Sequence, residues 1–286
     1  MADTITVQQF FKKFPNDDAC LDHLMELRYG ESLECPKCLK FGKFSRISKM
    51  PAYQCAWCGH HIHPMAGTPF ERTRTSLQKW FYAIFLFISS RHGVPAKELQ
   101  RQLGVTYKCA WRIGHEIRKY MAHIDGDDNL SGHVEVDETY VGGKRPGKRG
   151  RGAAGKTIVM GMVERNGDIM TRVIPDVKAE TLHRTVLDHV DTGSLLSTDE
   201  LQGYKGLVKR GYRHGSCNHS EEQWVNGIHH TNTLEGFWSH FKCSVVGTHR
   251  SISGKHIAKY LGEYEFRFNL RRLGSRVMFD RLILAF

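Results

Sequence analysis

Apolar residues recur at helical spacing in residues 1–30 and 75–122 and at every second position from residue 133 onward. That change of period divides the chain into two kinds of region. In "FPNDDACLDHLMELRYG" a proline and acidic residues precede the apolar positions and Gly30 follows them, which predicts helical structure up to residue 30. Residues 33–64 are short, turn-rich and cysteine-bearing. Residues 75–122 predict three helices punctuated by Gly93 and Gly104. The most apolar stretch, "LQKWFYAIFLFISS", is shorter than the roughly 20 residues that span a bilayer and reads as a buried core helix.

Beyond residue 130 the pattern predicts strands. "HVEVDETYVGG" alternates so that Val134, Val136 and Tyr140 share one face and Glu135, Asp137 and Thr139 the other. "KTIVMGMVERNGDIMTRVIP" holds two β-rich runs joined by Asn166-Gly167, a strong hairpin signal. "KAETLHRTVLDHVD" follows as an amphipathic helix, "SLLSTDE" as a short buried strand ending in acid, and "TNTLEGFWSHFKCSV" as a helix capped by Thr231 or Asn232. A last helix runs through "HIAKYLGEYEFRFNLRR". The order predicts an α+β or α/β domain after a smaller N-terminal part.

Composition adds a partner. The 286 residues carry a formal charge of +11, which points to an anionic partner, most simply nucleic acid. The N-terminus lacks the long apolar core of a secretory signal, so the expected compartment is cytoplasmic and reducing, without membrane association. In that setting the eight cysteines favour metal over disulfides. "CPKC" and "CAWC", sixteen residues apart, set Cys35, Cys38, Cys55 and Cys58 at the spacing of a closed four-thiolate zinc site, one structural Zn²⁺ per chain. Cys20, Cys109, Cys217 and Cys243 read as small apolar packing residues.

Two regions suit DNA. "VPAKELQRQLGVTYKCAWRIGHEIRKYM" has the plan of a helix-turn-helix, with Leu99 and Leu103 matched to Ala110, Ile113 and Ile117. Arg112, Arg118 and Lys119 are then expected to face phosphate. The loop after the first strand carries Lys144, Arg145, Lys148, Arg149, Arg151 and Lys156 with no acid among them. Beside it, Asp137 ends one strand and Asp199 another. Asn232 and Glu235 share a helix face with Lys242 two turns on. Asp137, Asp199 and Glu235 offer the hard oxygen ligands that two Mg²⁺ or Mn²⁺ ions need for phosphoryl transfer.

"VEVDETYVGGKRPGKRGRGAAGKT", "STDELQGY", "HHTNTLEGFWSHFK" and "YEFRFNLRR", in that order, resemble the bacterial insertion-sequence transposases that bear an N-terminal zinc ribbon and are related to Merlin elements. The resemblance covers nearly the whole chain. It implies a ribonuclease H-like catalytic domain, a mixed sheet flanked by helices, with a DDE-type triad. Asp137 and Asp199 fill the first two places. The third is Glu235 or Asn232, since part of this group has asparagine there. The carboxylate is the better ligand because its charge offsets that of the cation. The expected organisation is an N-terminal helical segment (1–30), a zinc ribbon (31–70), a helix-turn-helix region (71–125) and the catalytic domain (130–286). The expected activity is cutting of element ends and transfer of 3′-hydroxyls to target DNA, by a homodimer or larger assembly associated with the nucleoid. A domesticated DNA-binding regulator and a metal-dependent nuclease of the same fold are the alternatives.

Overall fold

The computed structural model describes residues 4–30, 32–124, 128–142 and 155–286. Lys144, Arg145, Lys148, Arg149 and Arg151 of the basic loop lie outside the described residues. The chain divides into two compact units, one formed by residues 1–120 with 272–286, the other by residues 121–271.

The first unit begins with α1 (Val7–Lys13) and α2 (Asp17–Tyr29). Thr6 and Gln9 form a capping box on α1, and the Asn16 side chain accepts the Ala19 amide of α2. Strands β1 (Phe44–Ile47), β2 (Ala52–Cys55) and β3 (His61–Ile62) form a small antiparallel sheet. Helices α3 (Leu77–Ser89), α4 (Ala96–Leu103) and α5 (Tyr107–Ile124) follow, as the periodicity predicts. Trp80, Phe81, Ile84 and Phe87 of α3 are fully buried. Each such side chain contributes about 1.5–3 kcal/mol by leaving water.

Helices α4 and α5 pair through Leu99, Leu103, Ala110, Ile113 and Ile117, all buried. Gly104 ends α4 at φ 60°, a left-handed turn that costs glycine little. Arg112 and Lys119 are exposed. Arg118 corrects the sequence reading: it is 2% exposed and turned inward. Its guanidinium donates to the carbonyls of Val94 (2.9 Å) and Gly114 (3.3 Å) and lies over the Phe87 ring. It satisfies buried backbone acceptors and does not face phosphate.

The second unit is built on β4 (His133–Val141), β5 (Thr157–Glu164), β6 (Ile169–Ile174), α6 (Ala179–His189), β7 (Leu195–Thr198), β8 (Arg213–Ser216), α7 (Asn232–Ser244) and α8 (Ile257–Asn269). The sheet order is β6-β5-β4-β7-β8. The first three strands pair antiparallel, whereas β4, β7 and β8 pair parallel. Alternation along β4 and β5 splits the core between the two faces. Val134, Val136, Met160 and Met162 pack with Leu182 and Val186 of α6. Val141, Val159 and Val163 pack with Leu234, Phe237, Trp238 and Phe241 of α7 and Leu261 of α8. A five-stranded mixed sheet in this order, with helices on both faces, is the ribonuclease H-like fold.

Helix α9 (Ser275–Ala285) closes the chain and packs on α2 and α3 of the first unit through residues such as Phe279, against Phe14 and Phe81. The sequence reading had given that segment to the catalytic domain. Among the described residues, no helix is long and apolar enough to cross a membrane.

Candidate active site and cysteine cluster

Among the described residues, two groups of side chains are close enough to share one ion: the four expected cysteines, and Asp137 and Asp199 with Glu138 in place of Glu235. In the first, the sulfur atoms of Cys35, Cys38, Cys55 and Cys58 lie within 4.8 Å of one another. The Sγ atoms of Cys35 and Cys58 are 3.6 Å apart and those of Cys38 and Cys55 3.9 Å. Cys55 closes β2, and the other three sit in adjoining turns. Desolvation opposes ionisation of Cys35, but the amides of Cys38 and Lys37 and the neighbouring thiols hold it down at about 6. At Cys58 the His60 amide favours the thiolate, yet desolvation and the three other sulfurs push it up to about 12. The quartet cannot carry four thiolate charges alone. A soft dication with tetrahedral preference fits it.

The second group is acidic. In the parallel pair β4–β7, Glu135 lies opposite Ser197, and two further residues along each chain bring Asp137 and Asp199 side by side. Carboxylate oxygens of Asp137, Glu138 and Asp199 lie within 4.8 Å of one another. Asp199 Oδ1 accepts the Leu201 amide at 3.0 Å, which turns the chain at the strand end. Glu138 was not among the expected ligands, because strict alternation sends it to the opposite face. It nevertheless joins the cluster, with Oε2 accepting the buried Tyr204 hydroxyl at 2.9 Å. The doublet of acids in "VDET" was the available signal. Since β4 runs on to Val141, Asp137 lies inside its strand and not at its end as the sequence reading expects. Burial, then the charges of Glu138 and Asp199, push Asp137 up to about 8, with Glu235 adding to the shift.

Glu235, on α7, lies outside the tight group of three, and its charge is the smallest contribution to the Asp137 shift. On β5 the residue opposite Asp137 is Gly161. A Cβ there would stand 2.5 Å from the Trp238 ring and 2.9 Å from Leu234, so only glycine lets α7 settle this close to the sheet. Glu235 Oε1 accepts the Thr231 hydroxyl at 3.2 Å. Lys242, two turns on, is near enough to feel the Asp137 charge. Desolvation lowers its pKa, the Asp137 charge opposes that shift and Lys156 adds to it. Asn232 is exposed at the first position of α7.

The cap of α7 differs from the sequence expectation. Thr231 stands at the N-cap position, but neither its side chain nor that of Asn232 caps the helix. The cap comes from another element. Glu135 of β4 accepts the amides of Thr233 (2.9 Å) and Leu234 (3.4 Å). The two histidines before the helix also acquire places. His229 Nδ1 is 2.9 Å from Ser197 Oγ, which in turn is 2.7 Å from His133 Nε2. Burial, with the Arg165 charge, holds His133 down at about 4, so this chain of rings is neutral at pH 7. His230 lies against Glu135, with Nδ1 3.2 Å from Oε1.

Residues 129–269 match the ISXO2-like transposase domain and residues 15–61 the transposase zinc-ribbon domain. The chain is 26% identical over 281 residues to an uncharacterized protein in transposable element ISH50 of Halobacterium salinarum, covering 90% of this chain and 92% of that one. An uncharacterized transposase-like protein of Haemophilus influenzae is 28% identical over 109 residues, 38% of this chain and 87% of that one. Among solved structures, the crystal structure of a pre-cleavage Mos1 transpososome is similar at a TM-score of 0.32 and 12% identity, over 72% of this chain and 78% of that one.

Proposed function

We infer that this chain, which belongs to the insertion-sequence transposases with an ISXO2-like catalytic domain and an N-terminal zinc ribbon, cuts the ends of its element and joins the freed 3′-hydroxyls to target DNA. The observation that carries this reading is the convergence of Asp137, Glu138 and Asp199 within 4.8 Å at the end of a parallel strand pair. Burial, then the repulsion of Glu138 and Asp199, lets Asp137 hold its proton up to about 8. Such a donor set fits hard divalent cations.

Asp137 and Asp199 are the principal ligands, and Glu235 completes the shell from α7. A bound pair of Mg²⁺ or Mn²⁺ ions supplies Lewis acidity at the scissile phosphate and lowers the pKa of an attacking water or hydroxyl. The protein fixes the geometry. Strands β4 and β7 set the spacing of the two aspartates, Tyr204 orients Glu138, and Lys242 offers a positive charge to the phosphate. The Cys35, Cys38, Cys55 and Cys58 cluster holds one Zn²⁺ that folds the ribbon. The exposed Arg112 and Lys119 of α5, with the basic loop, supply contacts to the DNA backbone in a homodimeric or larger complex on cytoplasmic, nucleoid DNA.

The test uses zinc-loaded protein and labelled duplexes carrying the element's terminal repeats. The reading expects Mg²⁺-dependent cleavage that leaves a 3′-hydroxyl, followed by joined products. Stable binding with no cleavage in either Mg²⁺ or Mn²⁺ contradicts it and favours the DNA-binding regulator. Cleavage without joining points to a hydrolytic nuclease of the same fold.

A further inference from the structure

Glu135 is a charged residue in the middle of an apolar strand. It is 0% exposed, flanked by the fully buried Val134 and Val136, and two residues before Asp137. A buried carboxylate persists only where donors surround it. Here the donors come from two directions. Oε1 accepts Arg165 Nε at 3.1 Å and the Thr233 hydroxyl at 3.0 Å. Oε2 accepts the Thr233 and Leu234 amides. Arg165 Nη2 also donates to the His230 carbonyl at 3.4 Å, tying the segment before α7 to the same point.

The first turn of α7 is therefore fastened to β4 by one side chain. The amides it uses are those a helix leaves unpaired at its N-terminus, where the helix dipole also favours negative charge. Glu235 is one residue beyond Leu234, and its own carboxylate is steadied by Thr231, the residue before the helix. Glu135 and Asp137 share one rigid strand, whose β4–β5 pairing is continuous from Val134 to Val141. The height of Glu235 over Asp137 is thus fixed by the bond between Glu135 and α7.

We propose that Glu135, supported by Arg165, is a positioning residue for Glu235: it sets the separation of the strand-borne and helix-borne metal ligands without touching metal or DNA. This rests on Glu235 being a ligand, as argued above. Glutamine at position 135 keeps the shape, but its NH₂ must face either Arg165 Nε or the Thr233 and Leu234 amides, none of which can accept, so one of the two anchors must let go.

The test is direct Mn²⁺ binding to zinc-loaded, full-length protein, read from the loss of the free-ion paramagnetic resonance signal. Glu235→Gln should weaken binding. Glu135→Gln should weaken it by about tenfold, the scale on which outer partners of metal ligands act. The double variant should bind no more weakly than Glu235→Gln alone, because both changes disable the same ligand. A generic loss of stability would instead add. Thr233→Val removes one bond to Glu135 and keeps the fold, and it should give a smaller loss of the same kind. Wild-type Mn²⁺ affinity in both Glu135→Gln and Thr233→Val, or additive losses in the double variant, overturns the proposal. Unchanged binding in Glu235→Gln, with loss in Asp137→Asn, overturns the assignment of Glu235 itself and the proposal with it.

Discussion

The cysteine cluster and the acidic cluster solve one problem, gathering like charges around a cation, in opposite ways. The four cysteines come from two turns sixteen residues apart, and the small sheet β1–β3 around them has little apolar surface to bury. On the proposed zinc reading, the metal and the fold form together there. The clustered acids come from Asp137 and Glu138 of β4 and from Asp199 just past the end of β7, in a five-stranded sheet whose cores are closed on both faces. There the fold exists first and forces the charges together, so the cation relieves a strain that packing has already imposed. Metal removal should consequently unfold one region and leave the other standing.

The largest expected effect is at the ribbon. A chelator, or Cys38→Ser with Cys58→Ser, should release one zinc per chain and withdraw about 10 kcal/mol or more of folding free energy from residues 32–62. Limited proteolysis should then cut that segment while the sheet of the second unit stays intact. Intact ribbon after zinc loss breaks the comparison. At the acidic site the effect is chemical. Asp137→Ala and Asp199→Ala should each lower cleavage of labelled element ends by about 10³-fold or more, with DNA binding and thermal melting little changed. Glu235→Ala should behave likewise, and Asn232→Ala should stay within a few-fold of wild type. If Glu235→Ala cuts and Asn232→Ala does not, the third ligand is Asn232.

Gly161→Ala probes how the fold imposes the site. The new methyl must displace Trp238 or lift α7, at a cost of about 1–3 kcal/mol in stability. Cleavage should fall further than melting alone explains, because Glu235 moves with the helix. An unaltered melting temperature and rate would refute the close contact.

The smallest effect concerns protons. Burial and neighbouring acids raise Asp137 to about 8 in the metal-free protein, above its unfolded value of about 4. Between those limits the folded state holds a proton that the unfolded state has lost. That contribution to stability is complete below about pH 4 and is lost as pH rises through about 8. Binding a cation displaces the same proton. Mn²⁺ affinity should therefore climb by about tenfold per pH unit and level off above about pH 8, and a flat titration would contradict it.

The two regions also differ in how far the sequence discloses them. The cysteine pairs, the Asn166-Gly167 hairpin and the helical stripes of α3 to α5 are local patterns whose partners lie within a turn or two, and the structure has them where periodicity puts them. Strand β8, "RHGS", has no apolar run. Only the parallel neighbour β7 makes it a strand, so nothing in its own residues announces it. The sequence reads Asp137 and Asp199 as strand-end acids, but only Asp199 follows its strand, since β4 runs on to Val141; their adjacency is a matter of parallel register, which no short window encodes. Arg118 and Glu135 show the same limit from the polar side. A charged residue on a predicted helix or strand carries no mark of whether its partner is solvent or, as here, a carbonyl or a helix terminus brought in from elsewhere in the fold.

The central claim is that the convergent acids of β4, β7 and α7 hold catalytic cations. The most direct test is anomalous diffraction from crystals of the zinc-loaded protein soaked in Mn²⁺. The account predicts manganese peaks in coordination contact with Asp137 and Asp199, one of them also contacting Glu235, and a separate zinc peak among the four cysteines. Manganese absent from Asp137 and Asp199 while the zinc peak is present would contradict it.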